Sequence, residues 1–152
     1  MIKEIKDPQE KEVITEEVLR DLPEWFGIEE AIVEYVHGVK NKTFFAAFDK
    51  NNPVGFYCIR QENDSVLDLY VLGIKRSHHR KGMGKSLQAH VEAYAKEKGY
   101  EYLMVLTLAK KAYDEAYLKT RKFYLDMGFI DFYQNDEIFS KDDPCQIMMK
   151  KL

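Results

Sequence analysis

The sequence predicts an α/β chain built on a mixed sheet, and three observations carry that prediction. Apolar spacing is helical near the N-terminus, takes the two-residue period of strands from about residue 43, and returns to helical beyond residue 83. The run "EYLMVLTL" (101–108) is continuously apolar, as expected of a central strand covered on both faces. Between these regions "HHRKGMGKS" (78–86) joins the end of a strand to the start of a helix. Alternation of this kind favours one sheet with helices packed on it.

Taken in order, "TEEVLRDLPEWF" (15–26) reads as a helix with Val18, Leu19, Leu22 and Phe26 on one side, disturbed at Pro23. "GIEEAIVEYVHG" (27–38) is a second short helix, stopped by Gly38. "TFFAAFD" (43–49), a turn at "KNNP" and "VGFYCIR" (54–60) form a hairpin, and "SVLDLYVLGI" (65–74) adds a third antiparallel strand. After the glycines, Met83, Leu87, Val91 and Tyr94–Ala95 line one face of a helix that Gly99 ends. The strand 101–108 follows. A helix is expected from about Asp114 to Met127, with Tyr113, Ala116–Tyr117, Thr120, Phe123–Tyr124 and Met127 on one stripe and Gly128 as its stop. "FIDFYQ" (129–134) and "CQIMMKK" (145–151) complete the sheet.

The 152 residues fit one domain, 1–152, large enough for a core of its own. A net charge of −3 gives no global attraction to nucleic acid or an anionic membrane, so the basic cluster at 75–85 suits a small anionic ligand. Cys58 and Cys145 lie in apolar segments without metal-ligand spacing and read as buried thiols; no metal is expected. The start "MIKEIKDPQEKEV" lacks the apolar stretch of a signal peptide, and no run approaches membrane-spanning length, so a cytoplasmic location is expected.

The glycine turn narrows the chemistry. "GKS" (84–86) imitates the end of a nucleotide-triphosphate loop, but His79 stands where that loop needs glycine, and the next strand ends in Thr107 and Leu108 in place of a magnesium-binding Asp. The dinucleotide fingerprint fails at Leu87, which occupies its third glycine position. What remains is a strand, a short turn carrying Gly82 and Gly84, and a helix, an arrangement that favours an anion at the helix N-terminus. His79-Arg80-Lys81-Gly82-Met83-Gly84 resembles the Gln/Arg-x-x-Gly-x-Gly/Ala signature of the GNAT superfamily of N-acetyltransferases, with His79 in the first place. "FYLDMGF" (123–129) is similar to that family's second signature, Phe-Tyr-x-x-x-Gly-Phe, and the chain looks like a small bacterial-type member.

The resemblance implies the GNAT fold, a mixed sheet with an antiparallel meander, splayed central strands and flanking helices. It implies acetyl-CoA as cosubstrate, its pyrophosphate on the amides and cations of His79, Arg80, Lys81, Gly82, Met83, Gly84 and Lys85. The acetyl-pantetheine arm would pair with Leu72, Gly73 and Ile74, with an N–H near Leu72 or Gly73 as the oxyanion donor. Tyr124 matches the family's general acid. Asp68 stands where the histone-acetylating branch has its general base, although an exposed strand Asp would explain it equally; His78, His79 and Tyr70 are further candidates. Where the family has Asn and Ala ahead of the Phe-Tyr pair, Tyr117 and Thr120 stand here. The implied reaction is acetyl transfer to a primary amine of a small molecule or peptide, the alternative being a non-catalytic acyl-CoA sensor or scaffold. Glu16, Glu17, Asp21, Glu24, Glu29, Glu30 and Glu34 could attract a cationic acceptor, or could be solvated helix faces. Neither nucleic acid nor membrane is an expected partner, and the resemblance favours a homodimer.

Overall fold

The computed structural model describes residues 1–109, 115–139 and 142–152. Its elements are β1 (Ile2–Glu4), α1 (Pro8–Arg20), α2 (Glu29–Gly38), β2 (Thr43–Asp49), β3 (Asn52–Gln61), β4 (Val66–Ile74), α3 (Met83–Glu97), β5 (Tyr102–Leu108), α4 (Glu115–Asp126), β6 (Ile130–Asn135) and β7 (Cys145–Lys151). The strands hydrogen-bond in the order β1-β2-β3-β4-β5-β7-β6, a seven-stranded mixed sheet, so the predicted α/β class holds. Two elements depart from the sequence reading. β1 is too short to show a period, and α1 begins seven residues earlier than expected. Asp7 caps α1, accepting a 3.2 Å hydrogen bond from the Glu10 amide, and Pro8 occupies the first turn, where a missing N–H costs nothing. The helix ends at Arg20, before Pro23, and the chain goes on in turns closed by the Trp25 and Phe26 amides on the Leu22 carbonyl. The expected start of the later helix, at Tyr113–Asp114, lies outside the described residues.

The chain forms two compact units, Met1–Arg60 with Tyr70–Tyr94, and Gln61–Leu69 with Ala95–Leu152. In the first, the "FFAAF" run of β2 is explained by cover on both faces. Phe44 and Ala46 join Val18, Leu19 and Leu22 of α1, Phe56 and Cys58 of β3 and Val71 of β4 in one core, with Phe44 and Phe56 stacked 5.0 Å apart. Phe45 turns the other way, onto His90 and Tyr94 of α3 at 4.7 and 5.2 Å. Lys11 is only 7% exposed, and its ammonium is satisfied by the carbonyls of Lys42 at 2.6 Å and Lys40 at 3.4 Å.

In the second unit β5 and β7 pair antiparallel from Tyr102↔Lys151 to Leu108↔Cys145, and β6 lies on the far side of β7. The parallel ladder of β4 with β5 covers Val66↔Tyr102 to Asp68↔Met104, although both strands run on beyond it. Leu103, Val105, Tyr124, Phe129, Cys145 and Met148 are buried here. No helix among the described residues is long and apolar enough to cross a membrane.

Candidate active site

The expected site residues fall into two groups, one in each unit. The first is the glycine turn with the end of β4. Arg76–His78 make a single 3-10 turn, His79 is extended, and Arg80 and Gly82 both adopt left-handed backbone, at φ 60° and 78°. α3 then begins at Met83. Its first return bond is Ser86 N–H to the Gly82 carbonyl at 3.0 Å, so the amides of Met83, Gly84 and Lys85 sit at the positive end of the helix with no carbonyl behind them in the helix. A Cβ placed on Gly82 would meet nothing within 4 Å, so space opens in front of the turn. Arg80, Lys81 and Lys85 are exposed around it. A bare left-handed backbone, a helix N-terminus and three cations are features that favour a phosphate-type anion.

Left-handed Arg80 is held at a conformational cost of about 1–3 kcal/mol, which its surroundings must offset. The anchor is the segment before the glycines, laced to α1 and the turns after it. Lys75 pairs with Glu17 at 2.8 Å, the Arg76 amide donates to Asp21 at 2.8 Å, and the Arg76 guanidinium pairs with Glu24. His79 Nε2 lies 2.6 Å from the Ile74 carbonyl, and its ring meets Trp25 edge-on at 5.9 Å. His78 is equally committed, with Nδ1 2.8 Å from Ser77 Oγ and Nε2 2.9 Å from Asp49. That hydrogen bond holds the Asp49 carboxyl below its ordinary range, against a smaller opposing effect of burial. Both histidines therefore help to hold the turn in shape, His78 through both ring nitrogens and His79 through Nε2. Tyr70 is poorly suited as a base. Burial pushes its phenol above the ordinary value and keeps it protonated at neutral pH.

The acidic segment is also largely self-satisfied. Arg20 bridges Glu16 and Glu29 at 3.0 and 2.8 Å, while Glu17, Asp21 and Glu24 serve Lys75 and Arg76. Five of the seven acidic residues are thus engaged within the chain, by three cations that offset three of the seven negative charges.

Gly73 has a specific neighbour. A Cβ there would lie 3.1 Å from both Val18 Cγ1 and Leu22 Cδ1, side chains 0% and 4% exposed in a packed core. The glycine lets α1 lie close on β4. Gly73→Ala is therefore expected to destabilise the protein by about 1–3 kcal/mol, read as a lower midpoint in urea unfolding. An open strand position would give the opposite sign, since alanine is better than glycine there.

The second group holds Asp68 and Tyr124. Asp68 is 2% exposed, so the exposed-strand explanation does not apply to it. Its charge is felt by Cys145, whose thiol burial, the larger cause, and Asp68 together push up to about 11. That thiol is neutral and unreactive, and Cys58 is likewise free and buried. Tyr124 is 4% exposed, with its ring against Phe123 at 5.7 Å and Phe129 at 5.5 Å, both edge-on. The "FYLDMGF" pattern has a local cause. Gly128, left-handed at φ 94°, turns the chain back at the end of α4, so that the Phe129 amide bonds the Tyr124 carbonyl at 3.0 Å and one ring packs on the other. Tyr117 and Thr120 lie on α4, with Thr120 Oγ1 donating to the Ala116 carbonyl at 3.3 Å. Among the described residues no cluster of three His, Cys, Asp or Glu side chains could hold a metal ion.

Sequence reasoning missed the anchors: Trp25, Asp49 and the three pairs linking Lys75 and Arg76 to α1 and its following turn. Their partners lie 29 to 58 residues away, and no local period announces such contacts.

No characterised sequence matches the chain as a relative. Among solved structures, an aminoglycoside 6'-N-acetyltransferase complexed with coenzyme A superposes with a TM-score of 0.78 at 19% identity, covering 99% of this chain and 96% of that one. The ribosomal-protein-S18-alanine N-acetyltransferase from Escherichia coli gives 0.74 at 14% identity, covering 99% and 94%. A GNAT family acetyltransferase from Elizabethkingia anophelis with acetyl-CoA bound gives 0.68 at 16% identity, covering 90% and 89%. At these identities the likeness carries the fold and leaves the substrate open. The sequence profile of the Acetyltransferase (GNAT) family matches residues 2–129, the span that includes the glycine turn and "FYLDMGF". The chain belongs to the GNAT acetyltransferase family.

Proposed function

We propose that the protein is an acetyl-CoA-dependent N-acetyltransferase that passes the acetyl group directly to a primary amine in a ternary complex. The observation that carries this reading is the turn at 79–85, where left-handed Arg80 and Gly82, the amides opening α3 and three exposed cations surround open space. Those residues suit the pyrophosphate of acetyl-CoA, and the carrier then supplies an activated thioester. Leu72, Gly73 and Ile74, the last residues of β4, offer backbone groups to the pantetheine arm, and the N–H at Leu72 or Gly73 would face the developing oxyanion. The amine nitrogen attacks the thioester carbonyl and the C–S bond breaks. The ammonium proton leaves through Asp68 or a water it holds, and the Tyr124 hydroxyl hands a proton to the departing thiolate. Asp68 suits this role better than His78, whose two ring nitrogens are both engaged at the turn.

The acceptor class is a primary amine on a small molecule or a peptide. Arg20, Lys75 and Arg76 offset three of the seven negative charges of the acidic segment, so a cationic acceptor keeps part of that attraction in its favour. The test pairs binding with turnover. Acetyl-CoA should raise the melting temperature by mass action, and ATP with magnesium should raise it far less. Coenzyme A release should then appear with at least one member of a panel of polyamines, aminoglycosides, amino acids and peptides. Equal protection by both ligands would overturn the acyl-CoA reading. Protection without turnover on any amine would favour a sensor or scaffold.

A further inference from the structure

We propose that the groove between α1 and α2 is a docking site for a basic amphipathic helix of a partner protein. The two helices pack on each other in the first unit, and a groove of about 160 Å³ opens between them. Its floor is apolar and comes from α2, where Ile32, Val33 and Val36 share one side of the helix. Ile32 is 5% exposed, whereas Val33 is left 55% exposed. The wall is acidic and comes from α1, where Glu12 and Glu16 stand one turn apart. Arg20 closes the end nearest the turn between the helices, donating to Glu16 at 3.0 Å and to both Glu29 oxygens at 2.8 Å. From Glu12 to Arg20 the wall is about 12 Å long, a little over two helical turns.

Charge decides the occupant. Residues 7–37 hold ten Asp and Glu against two cations, Lys11 and Arg20, while the rest of the chain carries 16 acids and 21 cations. Lys11 is spent on backbone carbonyls, and Lys75 and Arg76 reach in to Glu17 and Glu24. Four cations against ten carboxylates leave this face negative, and no ion pair among the described residues engages Glu12. A second copy laid on the groove about a two-fold axis would set acid against acid, and nucleic acid or an anionic bilayer would be repelled. A cationic partner is attracted. Size then separates a projecting side chain from a free ligand. Pockets that enclose a small molecule usually measure about 300–1,000 Å³, and this groove is smaller. It has room for aliphatic side chains held out by something larger. A third helix laid along two packed helices does this, its ridge entering the groove between them. Aliphatic residues one turn apart then cover Val33 and Val36, and flanking lysines or arginines reach Glu12 and Glu16. The acetyl-CoA turn has no part in this contact, so the docking stands or falls apart from the proposed reaction.

Amide NMR on the full chain tests the site with a defined probe, a short synthetic helix carrying a leucine stripe flanked by lysines. Shifts are expected along residues 12–20 and 32–37, with binding that weakens as salt rises. The same peptide with glutamates in place of its lysines should not bind. Glu12→Lys should weaken binding roughly five- to tenfold and Val33→Ser roughly fivefold, each with unchanged circular dichroism. Glu62→Lys makes the same charge change at an exposed position in the second unit, and should leave the affinity within about twofold. The shift map comes from the unaltered chain, so it decides the matter even where a variant misfolds. Absent binding, or shifts that fall outside the groove, overturns the proposal. So does equal binding of the glutamate peptide, a Val33→Ser variant that binds like the wild type, or equal losses in Glu12→Lys and Glu62→Lys. Hexylamine binding as tightly as the peptide would also overturn it, since the occupant would then be a small amine.

Discussion

Gly82→Val is expected to lower acetyl-CoA affinity by at least about 100-fold while leaving a folded protein. Two separate costs produce the loss, and the structure allows them to be told apart. The first is conformational. Gly82 sits at φ 78°, where an L-residue costs about 1–2 kcal/mol and a β-branched one more. The second appears only with ligand. A Cβ at Gly82 meets nothing within 4 Å in the free protein, so its methyl groups have room until a phosphate claims the same space. Gly82→Ala measures the first cost with little of the second. It should lower the melting temperature by a few degrees and the affinity by roughly tenfold. Valine should add a much larger loss of affinity than of stability. Isothermal titration with acetyl-CoA, beside thermal unfolding without it, separates the two. If valine lowers stability and affinity in the same proportion, the turn is a structural feature and the phosphates bind elsewhere.

What could be read from the sequence, and what could not, divides by the range of the interaction. β2 and β3 were legible from their strand-type period and β5 from its continuous apolar run, and for β2 the structure shows what that period left out. Phe44 and Phe45, adjacent in β2, each find a covered face. The helix end at Gly128 was legible because a left-handed residue leaves a local mark. The start of α1 was also written locally, in Asp7-Pro8-x-Glu10, but its apolar stripe is weak there and the cap was overlooked. The glycine turn could be found, yet its shape depends on contacts no period reveals. His79 needs the Ile74 carbonyl and Trp25, and Arg76 needs Asp21 and Glu24. Charge left two readings open, a lure for a cation or solvated helix faces, and pairing to Arg20, Lys75 and Arg76, which engages five of the seven acidic residues, could not be read locally. Gly73 carried a different lesson. The resemblance placed it beside the pantetheine arm, and the structure adds a packing reason for a glycine there, since a Cβ would press on Val18 and Leu22.

Tyr124→Phe is expected to lower kcat by roughly 10- to 1,000-fold, or about 1.4–4 kcal/mol of transition-state stabilisation, with acetyl-CoA affinity nearly unchanged. The substitution isolates one atom. The ring is held edge-on between Phe123 and Phe129, and phenylalanine keeps both contacts and the burial of the site. The Phe129 amide bonds the backbone carbonyl of residue 124, which the change does not touch. Stability should therefore shift by about 1 kcal/mol or less, the usual net worth of one side-chain hydrogen bond. Removing the hydroxyl removes a proton source, and a tyrosine hydroxyl is protonated at neutral pH. Without it the thiolate must leave unassisted. Coenzyme A thiolate is a tolerable leaving group, which sets the lower bound. The upper bound belongs to a tetrahedral intermediate that collapses backwards unless the sulfur is protonated. Tyr124→Leu adds the control that packing alone would predict. It should lose stability by several kcal/mol with the ring contacts, so a rate loss seen only in leucine would mark a core residue. Single-turnover measurement on an accepted amine decides the matter. If Tyr124→Phe forms product at the wild-type rate with chemistry limiting, the hydroxyl has no part in the reaction and the acid lies elsewhere.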